Sequence, residues 1–152
     1  MSKYRGEVSS MKKILVAVDG SDHAKKALYK AKEIGEQYNS DIIILYVISS
    51  IRHCHPYVLD KAIEAEINKM ALNQAKIILE DAAKVYEDYP AKATTFMKCG
   101  DPAKEILDKA KNEKCDLIVM GSRGLNTISR AMLGSISNKV VNHSDISVLV
   151  VK

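Results

Sequence analysis

Tryptophan is absent from this chain of 152 residues, and phenylalanine occurs once. Single-stranded nucleic acid is gripped by aromatic platforms set among cations, and no dense basic run interleaved with aromatics occurs here. The net charge is +4, but Lys3, Arg5, Lys12 and Lys13 concentrate part of that excess near the N-terminus. Nucleic acid is therefore not an expected partner. Cysteine is scarce and odd in number. Cys54, Cys99 and Cys115 are widely spaced, which does not suit the disulfide framework of a secreted domain. Long apolar runs are missing as well: Ile14 to Val18 stops at Asp19, too short for a signal-peptide core or a membrane span. Together these absences lead us to expect a cytoplasmic protein that does not enter a membrane.

What remains is ordinary for an ordered fold. Hydrophobic residues make up 47% and charged residues 28%, which argues against disorder. A chain of this length fits one domain burying about two-thirds of its extended surface. Residues 1–10 are polar and aperiodic, and Met11-Lys12-Lys13 resembles a second start. We therefore read 1–10 as a flexible tail and 11–152 as the domain.

Strand-length apolar runs alternate with helix-period segments. Ile14-Leu15-Val16-Ala17-Val18 is a continuous run typical of a strand covered on both faces. Ser21 can cap a helix on which Ala24, Ala27, Leu28, Ala31, Ile34 and Tyr38 share a face. Asn39-Ser40 ends it, and Ile42 to Ile48 reads as the second strand. Ser49 to Tyr57 reads as a loop. Leu59, Ile63, Ile67, Met70, Ala71, Ile77, Ile78, Ala82 and Val85 then predict one long amphipathic helix reaching about Tyr86. Ala91 to Lys98 is the third strand. Asp101 can cap and Pro102 can open a helix to about Asn112. Asp116 to Met120, a helix from Ser135 to about Asn142, and Ser147 to Val151 complete the alternation. Crossovers of this kind imply parallel strands. The expected fold is α/β: a single-domain, doubly wound, five-stranded parallel sheet sandwiched by helices.

In such sheets ligands settle beyond the carboxyl ends of the strands, where strand order reverses. If the first and fourth strands are neighbours, Asp19, Val47 and Gly121 surround one crevice. Asp19 can accept hydrogen bonds from ribose hydroxyls or an adenine amino group. Taken alone, Asp19-Gly20-Ser21 is equally a plain strand-to-helix turn. After the fourth strand comes Gly121-Ser122-Arg123-Gly124, then nine residues, then Gly134-Ser135. Glycines at a strand end offer unobstructed backbone N–H groups, and a helix N-terminus adds roughly half a positive charge, a combination that holds phosphate. Arg123 and Arg130 lie between these glycines, facing either phosphate or solvent. The pattern is neither a Walker loop nor a GxGxxG fingerprint.

These segments, with Lys13 to Ser21 and Gly100-Asp101-Pro102-Ala103-Lys104-Glu105-Ile106, resemble the universal stress protein family over essentially everything after residue 11. Gly-x2-Gly-x9-Gly-Ser is similar to the signature of that family's ATP-binding branch. The resemblance implies a sheet of the adenine nucleotide alpha hydrolase-like kind. It implies that Asp19 and Val47 hold adenosine with Ala17 lining the base pocket. It further implies that Gly121, Gly124, Gly134 and Ser135 embrace the phosphates of ATP, carried with Mg2+ or Mn2+, and that Met120 and Ile136 flank them. Arg123 joins that set as a candidate. Ala17 stands where some ATP-binding members carry proline, and Tyr46 where a histidine is frequent; neither change removes a phosphate contact. By the same resemblance the protein is a homodimer whose fifth strands, Val148 to Val151, pair antiparallel. The implied role is a nucleotide-dependent sensor or switch in the stress response, acting on unknown protein partners and with at most slow ATP hydrolysis.

Two other classes stay open. One is a nucleotide-free dimeric interaction module. The other is a nucleotide alpha-phosphate hydrolase or transferase, although Ala17-Val18-Asp19-Gly20 stands where such enzymes carry a Ser-Gly-Gly-type loop. His53-Cys54-His55 has ligand chemistry but no second pair at metal-binding spacing, so no metal site is expected there.

Overall fold

The computed structural model describes residues 11–49, 60–125 and 132–152. The tail 1–10, loop residues 50–57 with His53-Cys54-His55, Leu59 and Arg130 lie outside the described residues. In chain order the elements are β1 (Lys13–Val18), α1 (Asp22–Tyr38), β2 (Asp41–Ser49), α2 (Lys61–Lys84), β3 (Ala93–Gly100), α3 (Pro102–Asn112), β4 (Leu117–Gly121), α4 (Ser135–His143) and β5 (Ser147–Val151). The strands form one sheet in the order β3-β2-β1-β4-β5, and every neighbouring pair is parallel. The doubly wound α/β architecture expected from the sequence is the one observed. No helix among the described residues is long and apolar enough to cross a membrane.

β1 reads as a continuous apolar run because both of its faces are covered. Ile14, Val16 and Val18 pack with α1 and α2, while Leu15 and Ala17 pack with α3 and α4. The N-terminal end of this central strand is held by Asp116, whose carboxylate accepts from the amides of Lys12 at 2.8 Å and Lys13 at 2.9 Å. Asp116, expected as the first residue of the fourth strand, is thus the clamp that precedes it. β3 runs two residues later than expected, since its pairing with β2 continues to Ser49↔Gly100.

The caps are as the sequence indicates. Ser21 Oγ accepts from the amide of Ala24, and Asp101 accepts from that of Lys104, with Pro102 at the first helical position. Asn39 closes α1 in the left-handed region at φ 53°, which its short polar side chain tolerates.

Two helix faces differ from expectation. Tyr38 is exposed, and Gly35 takes its place on the buried face of α1. The room at Gly35 is occupied by the Tyr89 hydroxyl, which donates to the carbonyl of Ser40 at 2.5 Å. Tyr86 stands edge-on to Tyr89 and donates to the carbonyl of Leu28 at 2.8 Å. Burial pushes the Tyr89 phenol up to about 12 and raises Tyr86 as well, so both remain donors at neutral pH.

In α2 the expected stripe is only partly buried. Ile63, Met70 and Ile77 face solvent, and the fully covered residues are Ala75, Leu79 and Ala82. Apolar side chains occur on more than one side of this helix, and the sheet covers only the side that meets β2 and β3.

Gly35→Ala is expected to destabilise the fold by about 1–3 kcal/mol, because an added methyl meets both the Tyr89 hydroxyl and, at 3.0 Å, Ile42 Cδ1. Urea denaturation monitored by circular dichroism measures the loss, and an unchanged midpoint would contradict this packing.

Candidate functional site

The order of the strands reverses between β1 and β4: β2 continues the sheet on one side of β1, and β4 with β5 extends it on the other. Connections leave these two strands toward opposite faces, so a crevice opens beyond their carboxyl ends. A cavity of about 430 Å³ occupies it, within the roughly 300–1,000 Å³ of small-molecule sites. All ten residues singled out in the sequence line this one cavity: Ala17, Asp19, Val47, Met120, Gly121, Arg123, Gly124, Gly134, Ser135 and Ile136.

Strand register explains how they meet. Ala17 pairs with Met120 across β1 and β4, which sets a small side chain opposite a large one at the crevice floor. Val18 pairs with Tyr46 on β2, so Asp19 and Val47 follow at adjacent strand ends. Leu45, Ile48, Pro102 and Ile106 add further apolar wall. Asp19 is the one acidic residue among the described lining residues. Its Oδ1 accepts from the amide of Ser21 at 2.9 Å. Tyr46 also lines the cavity, and burial together with the charge of Asp19 raises its phenol above the ordinary range.

The glycine segment is fastened by backbone and serine hydrogen bonds. The amide of Ser122 donates to Val151 at the end of β5 at 2.7 Å, and the amide of Gly134 donates to the Ser122 carbonyl at 2.7 Å. Ser137 Oγ lies 3.0 Å from that same carbonyl and 2.9 Å from the carbonyl of Gly134, so one hydroxyl proton ties the loop to the first turn of α4. Ser21 Oγ reaches the Arg123 carbonyl at 3.5 Å, joining the turn after β1 to the loop after β4.

The three loop glycines serve different ends. A Cβ at Gly121 would lie 2.8 Å from the backbone carbon of His23 and 3.0 Å from the amide nitrogen of Ala24, so this glycine lets α1 pack against the end of β4. At Gly124 a Cβ would lie 2.8 Å from Asp19 Oδ2; the missing side chain lets the loop approach the carboxylate. Gly134 differs from both. A Cβ there would meet nothing closer than 3.4 Å, and its φ of −61° suits any residue. Neither packing nor backbone strain requires glycine at this position.

A related feature appears at α4. Helices α1, α2 and α3 each have an N-cap side chain that accepts a first-turn amide, from Ser21, Asp60 and Asp101 respectively. α4 begins at Gly134 with no side-chain cap, and its opening residues, Gly134, Ser135, Ile136 and Ser137, line the cavity.

Sequence reading passed over the serines that shape the site. Ser122 and Ser137 are almost fully buried, and little local marks them: Ser122 is held through its main chain to Val151 and Gly134, and Ser137 Oγ reaches the Ser122 carbonyl fifteen residues away. Pro102 and Ile106 were read only as parts of a helix start, yet they form cavity wall. Among the described residues no group of three or more His, Cys, Asp or Glu could hold a metal ion. The two described cysteines are free: Cys99 is exposed, and burial pushes the Cys115 thiol up to about 11.

Comparison with known proteins agrees with this architecture. The universal stress protein family matches residues 11–152. Universal stress protein YxiE of Bacillus subtilis is 35% identical over 150 residues, an alignment covering 92% of this chain and 98% of that one. The solved structure of MJ0577, a universal stress protein of Methanocaldococcus jannaschii, has a TM-score of 0.81 at 31% identity, covering 94% of this chain and 96% of that chain. A universal stress protein solved in complex with cAMP has a TM-score of 0.68 at 26% identity, covering 94% of this chain and 98% of its own. The chain belongs to the universal stress protein family.

Proposed function

We propose that this protein binds an adenine nucleotide, ATP foremost, in the cavity at the ends of β1 and β4, and that occupancy makes it a nucleotide-dependent switch in the stress response. One observation carries the reading. The single described helix whose N-cap offers no side-chain acceptor brings its first turn, Ser135 to Ser137, to the cavity lining, and a Cβ on the glycine that opens it would make only ordinary van der Waals contacts. Uncapped amides at the positive end of a helix are the ordinary protein site for phosphate. A relative of known structure was solved with cAMP, which supports an adenine nucleotide as the ligand class.

In this arrangement Ala17, Val47, Met120 and Ile136 contact the adenosine, Asp19 accepts from ribose or adenine donors, Gly124 and Ser135 present amides to the phosphates, and Gly134, whose own amide is held by the Ser122 carbonyl, lets them approach. Arg123 lines the same space. The described lining supplies one carboxylate, Asp19, so a divalent ion such as Mg2+ or Mn2+ would arrive on the phosphates. Rapid hydrolysis needs a group that orients water in line with the γ-phosphate. Among the described lining residues there is no His and no second acidic residue, which supports turnover that is at most slow and a bound state that is itself the signal.

The dimer belongs to the same proposal. β5 is an edge strand carrying four consecutive apolar residues, Val148 to Val151. The opposite edge, β3, carries Lys98, a charge that discourages pairing. A twofold antiparallel union of two β5 strands would cover the apolar edge and complete a homodimer in the cytoplasm.

Three outcomes follow. Mass spectrometry of the purified, then denatured, protein should release an adenine nucleotide, and titration calorimetry should detect Mg-ATP binding; no heat and no co-purified nucleotide would defeat the reading. Gly134→Val should weaken Mg-ATP binding at least about tenfold while keeping the melting temperature within a few degrees, whereas Gly121→Ala should destabilise the fold by about 1–3 kcal/mol through its clash with α1. Full ATP affinity in Gly134→Val would remove the phosphate assignment. Sedimentation equilibrium should give twice the chain mass of 16.8 kDa, and a monomer at micromolar concentration would exclude the β5 dimer.

A further inference from the structure

A second cavity, of about 320 Å³, lies beside the first in the groove between α1 and α2. Its floor is apolar, with Leu28 and Ala82 buried and Ile78 and Val85 half-buried. Ile77 and Leu125 form its lips, 54% and 72% exposed. Its size is that of a small-molecule chamber, whereas a docked helix is about 10–12 Å across. The two cavities are contiguous: Val18, Asp19, Ala24 and Leu125 line both. Gly124, beside Leu125, stands at this shared wall, with its Cβ position 2.8 Å from Asp19 Oδ2.

Charge decides what can cross that wall. A nucleotide phosphate held by Gly124 and the start of α4 has the Asp19 carboxylate at its side, which repels any further anionic group directed past it. A polyphosphate must therefore continue along α4. Beyond Asp19 the groove offers apolar carbon, and its rim charges are already matched: the Asp81 carboxyl is held below its usual range by Lys84 and, from across the groove, by Lys25. An uncharged, apolar chain attached to the phosphate meets no such barrier and removes exposed Ile77 and Leu125 from water.

We propose that the groove between α1 and α2 is a second subsite, which takes the apolar substituent of an adenosine 5′-phosphate esterified to an alkyl chain or joined in anhydride to an acyl chain. This inference rests on the nucleotide reading above and extends it from free nucleotides to adducts of AMP.

The test compares two synthetic probes of identical charge, the methyl and the octyl phosphoesters of AMP, by calorimetry on the full chain. Burial of only two of the seven additional methylenes corresponds to roughly tenfold in affinity. The octyl ester should therefore bind at least about tenfold tighter than the methyl ester. Ile77→Gln, at an exposed position that does not line the nucleotide cavity, should remove at least about threefold of that gain while leaving the methyl ester and Mg-ATP affinities and the melting temperature unchanged. Equal affinities for two esters that both bind would overturn the subsite and leave the nucleotide site standing. An octyl gain untouched by Ile77→Gln would place the chain elsewhere and equally overturn it. If neither ester nor Mg-ATP binds, both proposals fall.

Discussion

The hydrogen bond from the Gly134 amide to the Ser122 carbonyl, 2.7 Å long, fixes where α4 starts and so what the crevice can hold. Ser122 is a small hub. Its amide is spent on Val151 of β5, and its carbonyl receives both Gly134 and the Ser137 hydroxyl. Three elements, β4, β5 and α4, meet at one buried residue. Because the Ser137 hydroxyl points back to the carbonyls of Ser122 and Gly134, it serves the loop instead of capping its own helix. Backbone bonding thereby fixes the start of α4 beside the end of β4.

The glycines illustrate how one residue type answers different constraints. Gly121 is small because α1 passes within contact of β4, and Gly124 is small because Asp19 is adjacent. Both would be glycine in a protein that bound nothing. At Gly134 a Cβ would make only ordinary van der Waals contacts. Its identity gains nothing for folding, and a glycine in a helix-opening position forgoes a few tenths of a kcal/mol that Ser or Asp would supply as a cap. A ligand that needs close approach to the start of α4 accounts for that sacrifice.

Much of the fold was legible because its signals are local. β1 announces itself by an uninterrupted apolar run, and Ser21, Asn39 and Asp101 mark helix ends through bonds made within a few residues. The candidate residues were legible too, since each stands at the carboxyl end of a strand or in the glycine segment, and topology alone gathers such positions. Illegible were the features that depend on which surfaces meet. Nothing in the sequence of α2 distinguishes Ile77, which faces solvent, from Leu79, which is buried. Gly35 reads as a weak point in α1 until Tyr89, more than fifty residues later, fills its space. Ser122 and Ser137 look like ordinary polar residues, because the bonds that bury them, from the Ser122 amide to Val151 and from the Ser137 hydroxyl to Ser122, exist only once the fold brings those segments together.

The same hub bears on how occupancy could be reported. A ligand that binds only the folded state stabilises it by RT ln(1 + [L]/Kd), about 2.7 kcal/mol at a hundredfold excess over Kd. That free energy enters where the bonds are made, at the start of α4 and the loop before it. From Ser122 the one backbone connection outward runs to Val151, the last residue of the edge strand. Under the proposed reading, holding the loop in place also holds the end of β5, whose free edge is the surface available to a second copy or another partner. The single carboxylate among the described lining residues fits this arrangement, since a signal carried by the bound state is better kept than consumed.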